Sequence, residues 1–302
     1  MILKACAMVM AAAFGAGMVS PALAHGAESI PRTWFADPGV VLALLGAIAL
    51  YVRGLRNLGR SARTRIAGPW RSAAFFCGIA LCVAALESPL DELADRLFSA
   101  HMLQHVLLTV VIAPLLVVGR LDAALLHALP PGWIAKTARR LAPLRSAATW
   151  IARPWTAWAI ATATIAFWHL PRLYAWAERS PPVHAFEHLM LVVTACAFWW
   201  WVVDPRARRY FGLGAAILYL LSFGVFNGFI GAMLTFSPRP WYALPGFDGQ
   251  SAGLSALEDQ QLAGVLMWIG MDAILFCAVL IVAASWLRAP PMRTVPLVRE
   301  AS

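Results

Sequence analysis

The sequence predicts an all-α, polytopic transmembrane helical bundle, with about seven transmembrane helices behind a cleaved signal peptide. Three observations predict it: too little charge to cover a soluble globule, apolar runs of membrane length, and basic residues gathered in alternate connections. Of the 302 residues, 61% are hydrophobic and only 13% charged, and mean hydropathy is +0.70. A soluble domain carries about 25% charged residues, so the solvent of this chain is lipid. Backbone polar groups find no water there, and the apolar runs must therefore be helices.

The elements follow in order. Residues 1–24 read as a secretory signal, with Lys4 for charge, a short apolar core, and Ala22-Leu23-Ala24 as the peptidase site. Cleavage makes His25 the first residue of a single transmembrane domain, 25–302. Apolar spans are expected at 38–54, 71–90, 99–118, 155–170, 184–203, 213–236 and 262–287, each near the ~20 residues needed to cross. With the N-terminus outside, inner connections and the C-terminal tail hold 18 Lys and Arg residues, and outer connections hold 5. That asymmetry obeys the positive-inside rule and predicts a multi-pass protein of the bacterial inner membrane, with a periplasmic N-terminus and a cytoplasmic C-terminus. The formal charge of +9 is therefore a topology signal rather than a nucleic-acid patch. Cys6, Cys77, Cys82, Cys196 and Cys277 form no CxxC pair and read as small apolar residues.

Six of the seven histidines fall at the outer side on this topology: His25, His101, His105, His169, His184 and His188, with His127 in an inner loop. His101 and His105 are four residues apart and share one helix face, as do His184 and His188. If the third and fifth spans meet, four imidazoles converge. Neutral imidazole is the commonest metal ligand and suits copper, zinc or iron. His101, His105, His169, His184 and His188 are thus the expected metal ligands. At a freed terminus, His25 would offer both its amine and its imidazole to Cu(II). Met267 is a further candidate through its soft thioether, although Met267 and Met271 are also ordinary packing residues. Glu187, Asp259 and Asp272 are the acids expected to orient ligating rings or relay protons, Asp272 because a mid-membrane carboxylate is costly without a role. Asn227 is expected to bond between helices, and the tryptophans to form interfacial belts. No Walker, HExxH or dinucleotide motif is present, so no enzyme is expected.

Four segments of the chain resemble the CtaG family of membrane proteins linked to assembly of bacterial heme-copper cytochrome c oxidases. They are His101-Met102-Leu103-Gln104-His105 with Pro114-Leu115-Leu116; Trp168-His169-Leu170-Pro171 with Tyr174; His184-Ala185-Phe186-Glu187-His188 with Phe198-Trp199; and Asp259-Gln260-Gln261-Leu262-Ala263-Gly264 with Met267-Trp268. The resemblance covers about 70 to 287. It implies a part in maturing the oxidase, with copper delivery at the periplasmic face and an oxidase subunit or copper chaperone as partner. Two alternatives use the same residues: a heme-binding redox protein, which a Soret band would reveal, and a copper transporter, hinted at by Asp272, Cys196 and Met271.

Overall fold

The computed structural model describes residues 34–35, 37–130, 153–242 and 253–287, with Gly132, Trp133, Lys136 and Arg139. The expected signal peptide, 1–24, and His25 lie outside these residues. The described chain is helical without strands, an all-α polytopic bundle. Its helices are α1 (Pro38–Asn57), α2 (Arg60–Ile66), α3 (Pro69–Leu86), α4 (Pro89–Ala94), α5 (Phe98–Val118), α6 (Leu121–Ala128), α7 (Pro154–Trp168), α8 (Pro171–Glu178), α9 (Pro181–Val203), α10 (Pro205–Phe211) and α11 (Leu213–Thr235). The last, α12, joins Ala256–Val265, Leu266–Gly270 and Met271–Leu287.

Proline opens α1, α3, α4, α7, α8, α9 and α10. The first helical position loses nothing by lacking an N–H, and the fixed φ of proline already suits a helix. Among the described residues, six helices are long and apolar enough to cross a bilayer: α1, α3, α5, α9, α11 and α12. The fourth expected span is the 15-residue α7, about 22 Å at 1.5 Å per residue. The chain turns at His169 and restarts at Pro171, which ends that helix.

Helix α5 is the centre of the bundle. It packs against α3, α9 and α12, and 61% of its apolar window is buried, against 11% for α1. Two helices depart from α geometry: α5 at Leu107–Ile112 and α12 at Leu266–Gly270 are π-helical. In α5 the cause is legible. The Ala113 N–H reaches back five residues to Leu108, and the next residue, Pro114, has no N–H to continue the pattern. The stranded Thr109 carbonyl accepts instead from the Trp199 indole of α9 at 2.8 Å, which ties α5 to α9.

At the end of α5 away from its histidines, Arg120 adopts a left-handed backbone with φ 61°. Its guanidinium pairs with Asp204, which also caps α10, and with Asp122. Helices α11 and α12 meet through glycines. A Cβ on Gly264 would lie 2.6 Å from the Gly231 carbonyl oxygen, and one on Gly231 2.9 Å from the Gly264 carbonyl oxygen. Small residues permit such close backbone approach in membranes. Gly264→Ala is expected to cost roughly 1–3 kcal/mol through overpacking, read as a lower melting temperature in detergent. Gly46→Ala, with open space around it, should leave the transition in place.

Candidate metal centre

The first turn of α5 starts at Leu97, a residue without an oxygen to cap it. Asp259 of α12 supplies the cap from 160 residues away, accepting from the Phe98 N–H at 2.7 Å and the Ser99 N–H at 3.0 Å. A carboxylate there also meets the positive end of the helix dipole. One turn further, His101 and His105 project from α5 with ring centroids 4.3 Å apart. Helix α9 packs directly against α5 and brings His184 and His188, whose centroids are 4.4 Å apart.

The two pairs interdigitate. His101 stacks on His184 at 5.1 Å and 15°, lies 5.7 Å from His188, and His105 lies 5.3 Å from His188. Ligand atoms of His101, His105 and His188 all fall within 4.8 Å of one another. A second group with the same property joins His101 and His184 to Glu178 of α8. His101 belongs to both.

The carboxylates sit close to these rings. Glu178 Oε1 is 3.1 Å from His101 Nδ1, and Glu187 Oε1 is 3.5 Å from His105 Nε2. Burial pushes the Glu178 carboxyl up, but the hydrogen bond and charge of His101 outweigh it and hold Glu178 below the ordinary carboxylate range. Burial, reinforced by the negative charges of Glu178 and Glu187, pushes the neighbouring Tyr174 hydroxyl well above its usual range. Glu187 is fully buried. Neither of its oxygens, neither nitrogen of His105, and not Nε2 of His188 makes a hydrogen bond among the described residues.

The remaining sequence candidates divide. His169 closes α7, and its Nδ1 lies 2.7 Å from the Ile165 carbonyl while Nε2 faces Met102 Sδ at 3.3 Å. Its ring centroid is 6.2 Å from that of His105. Met267 is buried and, with Met271, Met102, His105 and His169, borders a small cavity. Asp259 orients no imidazole; it caps α5. Asp272 lies against Gly224 and Gly228 of α11 and in neither metal-competent group. His127 hydrogen-bonds through Nδ1 to the Ala123 carbonyl within α6. Sequence reading passed over Glu178 and Met102. Two signals were available: Glu178 is an acid in the short connection between two histidine-bearing helices, and Met102 directly follows a candidate ligand.

A family model described as cytochrome c oxidase caa3 assembly factor (Caa3_CtaG) matches residues 49–289. The chain belongs to that family. Comparison with curated proteins and with solved structures found no match. The region matched by the caa3 assembly factor model contains α3 to α12 entire, and so holds every residue of both metal-competent groups. In this assembly factor, Asp259→Ala should cost about 1–2 kcal/mol of stability by removing the cap. Asp259→Asn, which still accepts hydrogen bonds, should recover most of the loss in thermal unfolding. Equal losses for both would show that the cap is not the role of Asp259.

Proposed function

We propose that this oxidase assembly factor binds copper in the imidazole cluster at the periplasmic side of the inner membrane and passes it to the oxidase being assembled. The observation that carries this reading is the group of ligand atoms of His101, His105 and His188 within 4.8 Å of one another, deeply buried and short of hydrogen-bond donors. Buried polar atoms without partners are costly, and a cation accepts lone pairs from all of them at once. Imidazole suits copper, and copper is a component that a heme-copper oxidase must receive. Glu178 and Glu187 supply negative charge to offset that of the ion. The role requires binding and release, not catalysis.

The heme alternative fits less well. Two imidazoles on opposite faces of a heme iron keep a macrocycle between them, with ring centroids about 6 Å apart. Here the rings pack directly on one another at 4.3–5.7 Å between centroids. The transporter alternative needs ligands along the whole bilayer. Among the described residues both metal-competent groups lie at one end of α5, and the other end holds the Arg120–Asp204 pair.

The test is metal analysis of the purified protein with its optical spectrum, followed by His105→Ala and His188→Ala. Each substitution is expected to lower bound copper by about one ion per chain. Membranes of cells carrying either variant should hold oxidase deficient in copper. Unchanged copper in both variants would sink the reading, and a Soret band in the wild-type spectrum would replace it with the heme one.

A further inference from the structure

Beneath the imidazole cluster lies a cavity of about 10 Å³, lined by Met102, His105, Thr109, His169, Met267 and Met271 among others. That is roughly the space of one water-sized sphere. His169 Nδ1 faces the Ile165 carbonyl at 2.7 Å, an acceptor, so Nδ1 carries the proton and the neutral ring presents a lone pair at Nε2. That lone pair points at Met102 Sδ, 3.3 Å away, and a thioether has no proton to give. Two electron-pair donors thus face each other across a gap with no hydrogen to share.

A metal ion resolves this geometry. With metal–nitrogen and metal–sulfur distances of about 2.0 and 2.3 Å, an ion bound to both would separate them by roughly 3.3 Å at an angle of about 100°. Thioethers and a neutral imidazole bring no charge, and the cavity is otherwise apolar, bordered by Val106, Ile165 and Leu191. Such a donor set suits a soft, singly charged ion far better than a hard divalent one. Both π-helical segments, Leu107–Ile112 and Leu266–Gly270, border this cavity, through Thr109 and Met267. Local π geometry inside α-helices concentrates at functional sites.

We propose that His169 Nε2 and Met102 Sδ, with Met267, Met271 or both, form a second site that takes Cu(I). This deepens the copper reading, because His105 lines the cavity and also belongs to the group with His101 and His188. An ion exchanging ligands at His105 moves between the thioether site and the imidazole cluster without entering water. No electron changes hands: the ion enters and leaves as Cu(I).

The test loads the purified full-length protein, in detergent and without oxygen, with Cu(I), and separately with Zn(II) as a probe of the imidazole cluster. X-ray absorption of the Cu(I) form is expected to show copper–sulfur scattering near about 2.3 Å. The variant Met102→Leu/Met267→Leu/Met271→Leu keeps side-chain volume and is expected to bind about one Cu(I) fewer per chain. It should also lose the sulfur signal while taking up Zn(II) as the wild type does, and that uptake reports an intact fold. Wild-type Cu(I) with nitrogen or oxygen scattering only would overturn the proposal whether or not the variant folds. So would a sulfur signal that persists in the leucine variant, since the cysteines remain there to supply it. Wild-type protein that shows copper–sulfur scattering yet takes up no Zn(II) would count against the imidazole cluster and leave the thioether site standing.

Discussion

Four imidazoles and two carboxylates share one small, nearly dry volume, and the rest of the structure is arranged around the cost of putting them there. Each group taken out of water without a partner costs on the order of a few kcal/mol. The protein offsets part of this internally: Glu178 lies beside His101, and Glu187 beside His105. What remains is a surplus of lone pairs. A purely structural polar cluster would pair donors with acceptors, whereas this one presents acceptors to a common centre. On the copper reading proposed above, a bound ion would take up that surplus.

Holding six such groups in register requires rigid helices at close quarters, and the backbone supplies them by local means. Prolines open most of the helices at the one position where proline is harmless. Where Pro114 falls inside α5 instead, the Thr109 carbonyl it strands is taken by Trp199. The interruption thereby becomes a cross-link between the two helices that carry the histidine pairs. Interior irregularity is tolerated in a membrane only when a neighbour satisfies the freed backbone group, and here the neighbour is the partner helix of the site. Tyr242 does similar work at the rim, donating to the His169 carbonyl at 2.6 Å.

Much of this was legible in the sequence. The apolar run expected at 99–118 is the helix Phe98–Val118, and that expected at 213–236 is Leu213–Thr235. Membrane length leaves little freedom in where such a helix begins and ends. The two histidine pairs at a spacing of four placed four imidazoles on two helix faces, because helical periodicity is a local property. Nothing local reveals that α5 and α9 touch, or that Glu178 swings back over His101. The role of Asp259 escaped for the same reason: its partners, Phe98 and Ser99, stand 160 residues earlier. The fourth span, expected at 155–170, is the helix Pro154–Trp168; hydrophobicity marks what tolerates lipid, while Pro171 decides where the helix must stop. The proposed soft pocket was hidden by the ordinariness of methionine, which fills gaps in any core. Only the Met102 sulfur set against His169 Nε2 separates those roles.

The Asp259 cap also has a bearing on how the molecule comes into being. Ribosomes deliver the chain from its N-terminus, so α5 enters the bilayer with its histidines long before α12 exists. Until Asp259 arrives, the first turn of α5 has no side-chain oxygen on its Phe98 and Ser99 amides, and the turn bearing His101 is free to fray. Met267 and Met271, on the same late helix, are missing as well. A half-made chain therefore lacks two of the thioethers of the proposed Cu(I) pocket. On that proposal, the thioether pocket is completed only by the final helix, as a sign that synthesis has ended.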